Sequence, residues 1–189
     1  MSYTKYILLD TETGGLEPNL SLLTMFAFAL DENRLIVDKL DLIIKPDDGV
    51  YSVTVGALSV NKIDLVEHDK KAIKQSEAKT KFLDFLSKHS QFQSNKLKLI
   101  SHNTAFDKNW LQTKFLPITE WENYFSRRPI DTQTTAVFLQ EAGKLPPTIT
   151  CALTSLAEYF CIDQSGAHTA RGDCEMTYSV YLRLLEIVQ

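Results

Sequence analysis

Residues 6–16 read YILLDTETGGL: an apolar run climbs to Leu9 and stops at Asp10, with a second carboxylate at Glu12 and glycines at 14 and 15. The run reads as a buried strand. Residues i and i+2 of a strand share a face, so Asp10 and Glu12 converge if the strand persists to residue 12. The letters D-T-E-T-G-G also place acids at positions one and three and glycine at six, as in an EF-hand loop. Position twelve is then Ser21, where such a loop needs a bidentate Glu, and a strand precedes it where a helix should. The EF-hand is excluded. A charged turn and a metal site stay open until the downstream acids are read.

Outward from this stretch, residues 22–30 (LLTMFAFAL) read as a second buried strand. DENR supplies turn residues, and 35–44 (LIVDKLDLII) alternates in part like a third strand. Short connections predict an antiparallel meander. Pro46 closes it, and 46–60 reads as a loop with few helix signals. Ile63, Leu65 and Val66 fit a short helix, and residues 76–89 fit a longer one with Phe82, Phe85 and Leu86 at i, i+3, i+4. LKLIS at 97–101 is another buried strand, and helices are expected at about 105–115, 132–141, 152–160 and 171–188, with Pro146-Pro147 as a break. A meander, then alternating helix and strand, then helices, places the chain in the α/β class, with a mixed sheet carrying packed helices.

The chain has 189 residues, 44% of them hydrophobic, which suits one domain over 1–189. No apolar run approaches ~18 residues, so no membrane span is expected. The start, MSYTKYILLDTE, lacks a basic region followed by an apolar core and a cleavage site, so the expectation is a cytoplasmic protein. Cys151, Cys161 and Cys174 form no CxxC pair and read as reduced thiols in core or neutral surface positions. The net charge of -4 argues against a basic nucleic-acid coat protein. It does not argue against a nucleic-acid enzyme, because bound cations can supply the positive charge of a carboxylate cluster.

LKLISHNTAFDKNWL repeats the pattern of the first stretch, a buried strand running out to an acid, Asp107. Thr104-x-x-Asp107 also matches a capping box, so capping and a functional role both stand. In GAHTARGDCEMTYSV, His168 and Asp173 are five apart; on one helix they would lie about 140° apart and fail to converge. Gly166 and Gly172 weaken helix locally, which predicts His168 on a loop and Asp173 in the first turns of the last helix. Asp173 there is favourable to the helix dipole with or without chemistry. Taken together, Asp10, Glu12, Asp107, His168 and Asp173 stand at strand ends or helix starts, which is how open sheets build sites.

At these residues the chain resembles the DEDDh exonucleases, the DnaQ-like branch of the ribonuclease H-like superfamily. DTETGGL resembles their first motif, HNTAFD the second and HTARGD the third, and IDTQTTAVFL and ALTSLAEYFCID resemble their connecting helices. The resemblance covers nearly the whole chain. It implies a ribonuclease H-like α/β fold, with a central five-stranded mixed sheet flanked by helices. It also implies 3′→5′ release of 5′-mononucleotides with two Mg²⁺ or Mn²⁺ ions. The chain departs from the family at Gly14, where Thr is common, and at Thr24 or Met25, where the second strand commonly carries Glu.

Under this resemblance Asp10, Glu12, Asp107 and Asp173 are the metal ligands, and two hard cations fit oxygen donors. Asp10 is the bridging ligand, Glu12 and Asp173 complete one ion's site, and Asp107 supports the second ion. His168 is the general base, since imidazole's reference pKa near ~6.5 suits proton removal around neutrality. Glu12, Thr13, Leu16 and Phe106 border the terminal nucleoside, with His168 beside it. In PITEWENYFSRRPID, the spacing of Trp121, Tyr124 and Phe125 favours helix packing over base stacking, and Arg127 and Arg128 are the better candidates for phosphate contact. The expected partner is a nucleic-acid 3′ end, DNA in preference to RNA, with a DNA polymerase or a replication or repair protein as a possible associate. The alternatives are an RNA 3′-end trimming enzyme on the same fold and a non-catalytic polymerase-associated binding module.

Overall fold

A computed structural model describes residues 3–90 and 96–188. Its centre is a mixed sheet of six strands in the order β4-β3-β2-β1-β5-β6. Strands β1 (Thr4–Thr13), β2 (Leu22–Asp31) and β3 (Ile36–Lys45) form the antiparallel meander. Strand β5 (Lys98–Ser101) runs parallel to β1, and β6 (Ile130–Asp131) runs parallel to β5. These five make the expected five-stranded mixed sheet; a two-residue strand, β4 (Ile73–Lys74), adds a sixth along the end of β3. No described helix is long and apolar enough to cross a membrane.

The period of two along β1 divides the core. Ile7 and Leu9 face one side, with α3 (Gln75–His89), α4 (Thr104–Lys114) and α5 (Ile118–Tyr124); Phe82, Trp110 and Phe115 are fully buried there. Tyr6 and Leu8 face the other side, with α8 (Ala170–Ile187). Helices α6 (Thr132–Glu141) and α7 (Leu153–Tyr159) form a third apolar cluster with α8. Burying each large side chain contributes about 1.5–3 kcal/mol, so these layers hold the strand ends rigidly. Trp121 and Phe125 stack at 4.3 Å inside the core, as their helical spacing predicts.

Two local expectations are corrected. Residues 46–60 are not all loop, because α1 (Val55–Asn61) forms there, capped by the Thr54 hydroxyl on the Ala57 N–H. Its apolar residues are largely exposed, so it lacks the amphipathic pattern that marks a helix. The next helix, α2 (Leu65–Lys71), starts at the cap Asp64 and buries His68, leaving Val66 exposed. The helices and strands given spans from the sequence lie within a few residues of them, whereas α5 and the two-residue strands β4 and β6 are given no span there.

Candidate active site

β1 continues as strand through Thr13, so Asp10 and Glu12 do share a face. That face is the one covered by α8, which brings Asp173 in its first turn. Ligand oxygens of Asp10, Glu12 and Asp173 all lie within 4.8 Å of one another. Asp107 comes from the opposite layer. Thr11, between the two acids, points there and donates its hydroxyl to Asp107 Oδ1 at 2.8 Å. Asp107 is 2% exposed and stands outside the trio, yet its charge helps raise the pKa of Asp10.

This crowding has a clear electrostatic signature. Burial holds Asp10 well above the usual carboxylate range, and the charges of Asp107, Asp173 and Glu12 add to it. Burial, then Asp173 and Asp107, push Glu12 up to about 7. Burial also pushes Asp107 to about 7, against the hydrogen bond from Thr11. Asp173 is raised by burial and pulled back by the His168 backbone N–H, which donates to Asp173 Oδ1 at 3.0 Å. Buried carboxylates that raise one another are arranged for positive charge. Four hard oxygen donors with no soft ligand among them fit Mg²⁺ or Mn²⁺.

His168 lies on the exposed loop before α8, with a left-handed φ of 65°. The loop is pinned by a close approach of two glycines. A Cβ on Gly172 would stand 1.9 Å from the Gly166 carbonyl oxygen, so α8 accepts no side chain there without displacing the loop. The Thr169 hydroxyl donates to the Gly166 carbonyl at 2.7 Å and accepts the Gly172 N–H at 3.0 Å.

The capping-box reading of Asp107 does not hold. The cap residue of α4 is Asn103, with φ 65° and no side-chain cap of its own. Thr104 instead turns its hydroxyl toward the Ser101 and Ile130 carbonyls, at 3.5 and 3.4 Å. Asp107 is thereby left to Thr11 and the acid cluster. Thr13 is buried, with its hydroxyl on the Gly15 carbonyl at 2.6 Å, and Leu16 is 82% exposed at the rim. Phe106 is half-buried, tilted on Trp110. Arg127 is exposed and takes both Glu122 oxygens at 2.7 and 2.8 Å, which occupies the guanidinium offered for phosphate. Arg128 is exposed. Cys174 is buried with its thiol on the Leu8 carbonyl, a core position.

The departure at Gly14 has a physical cause. A Cβ on Gly14 would meet the Ser52 carbonyl oxygen at 2.5 Å, because Thr54 N–H binds the Gly14 carbonyl and draws 52–54 against it. Threonine does not fit there. Thr24 pairs with Glu12 across the β1–β2 ladder and puts a hydroxyl in register with Glu12. Met25 is core. Sequence reasoning also missed Asn61, a buried residue of α1 whose side-chain amide donates to the Thr13 carbonyl at 3.2 Å and whose nearness to Glu12 draws that carboxyl down against burial. No periodicity marks it.

A family model described as Exonuclease (RNase_T) matches residues 7–181. The DNA polymerase III PolC-type of Mycoplasmopsis pulmonis (strain UAB CTIP) is 30% identical over 112 residues, covering 59% of this chain and 7% of that protein. Escherichia coli exonuclease I in complex with a dT13 oligonucleotide superposes with a TM-score of 0.74 at 18% identity, over 96% of this chain and 40% of that one. The nuclease domain of 3′hExo, a DEDDh family member bound to rAMP, gives 0.71 at 15% identity, over 97% of this chain and 92% of that one. The chain thus spans less than half of exonuclease I and a small part of the polymerase.

Proposed function

The chain belongs to the DEDDh exonuclease family, and from that premise we propose that it is a metal-dependent 3′→5′ exonuclease that hydrolyses single-stranded DNA or DNA 3′ ends to 5′-mononucleotides. The observation that carries this reading is the convergence of Asp10, Glu12 and Asp173 within 4.8 Å on one sheet face, with Asp107 reaching in from the other. The same reading takes 1–189 as one exonuclease domain.

Asp10, Glu12 and Asp173 would hold one divalent cation, and Asp10 with Asp107 a second; when bound, the two supply the positive charge that neutralises the scissile phosphate and polarises water. The protein's own residues do the rest. His168 takes the proton of the attacking water, and its exposed loop gives it access to solvent for passing that proton on. The Thr11 hydroxyl fixes Asp107, and the His168 backbone N–H fixes Asp173. Glu12, Thr13 and Leu16 would border the terminal nucleoside, with the half-buried Phe106 beside it. Stacking on an aromatic ring contributes roughly 1–3 kcal/mol per base and reads no sequence.

DNA is favoured by the polymerase relative in sequence and by exonuclease I with its dT13 oligonucleotide in fold. The rAMP bound to 3′hExo supports RNA trimming as the second reading. A replication or repair polymerase as partner rests on the same relative. The test is matched 5′-labelled single-stranded DNA and RNA oligomers with Mg²⁺ or Mn²⁺, beside Asp10→Ala. A ladder shortening from the 3′ end, absent in the variant, is expected, with DNA the faster. No cleavage of either polymer with either metal refutes the enzyme and leaves a binding module.

A further inference from the structure

Asp107 sits one turn into α4, so its position depends on how that helix starts. The start is unusual. Asn103 supplies no side-chain cap, yet the Asn103 and Thr104 N–H groups point at the Asp131 carboxylate, at 3.2 and 3.0 Å. Asp131 is the last residue of β6, opposite Ser101 in the parallel ladder. The same carboxylate caps α6, accepting the Gln133 and Thr134 N–H groups at 2.9 and 3.2 Å. One side chain thus takes four amide donors and locks two helix starts to one strand pair. A carboxylate facing two helix N-termini is favoured by both dipoles, and its charge-assisted bonds are stronger than neutral ones.

We propose that Asp131 is a positioning residue of the exonuclease site: it anchors the N-terminus of α4 and so holds Asp107 against Thr11 and beside Asp10. The inference rests on the exonuclease reading above. Asp131 touches neither the acid trio nor the residues that border the nucleoside. It acts through the helix. Ions bound by carboxylates depend on such outer supports, whose loss typically lowers metal affinity or activity about 10–100-fold.

The bond pattern supplies a selective variant. Oδ1 accepts Asn103, Gln133 and Thr134, whereas Oδ2 accepts Thr104 alone. In Asp131→Asn the amide oxygen keeps the first three bonds, and the amide nitrogen faces the Thr104 N–H, donor against donor. The α6 cap survives while the α4 anchor loses its Thr104 bond and keeps only the one from Asn103. Ala136→Gly is the control: it weakens α6 in its interior, at a buried residue remote from α4. Three quantities would be measured on wild type and both variants. These are amide exchange across 104–107 and 132–135 without metal, the Mn²⁺ binding isotherm by electron paramagnetic resonance, and kcat and KM on the preferred oligomer.

The expected result is faster exchange at 104–107 alone in Asp131→Asn, with Mn²⁺ affinity and kcat down about 10–100-fold and KM little changed. Ala136→Gly should match wild type in both metal affinity and kcat. If Asp131→Asn binds Mn²⁺ and turns over like Ala136→Gly, Asp131 is merely structural and the proposal falls while the exonuclease reading stands. A wild type that neither binds Mn²⁺ nor cleaves overturns both.

Discussion

Without metal, the acid cluster should make the protein less stable as pH rises from 5 to 8, and metal should reverse this only at the high end. Glu12 illustrates the magnitude. Its pKa is raised from 4.5 to about 7 by burial, Asp173 and Asp107. A folded-state pKa above the unfolded one means that the folded state holds the proton longer. The stabilisation is therefore complete below the unfolded value and is lost as pH climbs through the folded one. A rise of this size is worth on the order of 3 kcal/mol at 1.36 kcal/mol per unit. Asp10, Asp107 and Asp173 move in the same direction but share the same repulsions, so their contributions do not add.

One opposing group lies inside the window: burial holds the His102 imidazole below its ordinary value, so its contribution is present above that value, is lost as pH falls, and offsets part of the carboxylates' fall. Asp38, held at about 2 chiefly by Lys88, loses its contribution only at more acidic pH. For a chain of this size about 1 kcal/mol moves Tm by roughly 2–4 °C, so metal-free protein should melt about 6–12 °C lower at pH 8 than at pH 5 from this effect. Metal at about a hundred times its Kd returns about 2.7 kcal/mol, or roughly 5–11 °C. At pH 5 protons occupy the ligands and the gain should nearly vanish. The assay is thermal melting followed by circular dichroism from pH 5 to 8, with chelator or with Mg²⁺ or Mn²⁺. Asp10→Asn is the internal check: it should raise the metal-free Tm at pH 8 and abolish the metal response. A metal-free Tm that is flat or rises toward pH 8, or a metal shift equal at both ends, refutes the reasoning.

Other outcomes follow from single contacts. His168→Ala should lower kcat by about 10²–10⁴ while the Mn²⁺ isotherm stays near wild type; an equal loss of metal affinity would make His168 a ligand or its support. Thr11→Val keeps the strand's shape but strips the buried Asp107 Oδ1 of its donor. It should cost about 1–3 kcal/mol of stability in denaturant melts and weaken the second Mn²⁺ site. Gly172→Ala must push the Gly166 carbonyl away and with it the His168 loop. Its kcat should fall toward that of His168→Ala, and the double variant should be no worse than His168→Ala alone; additive losses would separate the glycine contact from His168.

The parts of this fold legible in the sequence are those with a repeating physical signal. The apolar runs that become β1, β2 and β5 are buried on both faces, and α3 shows its buried Phe82, Phe85 and Leu86 at helical spacing. Asp10 and Glu12 were readable because a period of two is a local rule, and β1 does extend through Thr13. What was hidden is whatever the chain completes across distance. α1 has no buried apolar stripe, so only its Thr54 cap could have marked it. Thr104-x-x-Asp107 looked like a capping box because that pattern is local. The real anchor of α4 is 28 residues from Asn103, at Asp131. A D-T-Q-T start does mark Asp131 as the cap of its own helix. That it also caps another follows only from the parallel pairing of β5 and β6, which sets Ser101 beside Asp131. The second-motif acid therefore owes its place to sheet topology, a physical reason for a site carboxylate and a remote helix cap to act as one unit.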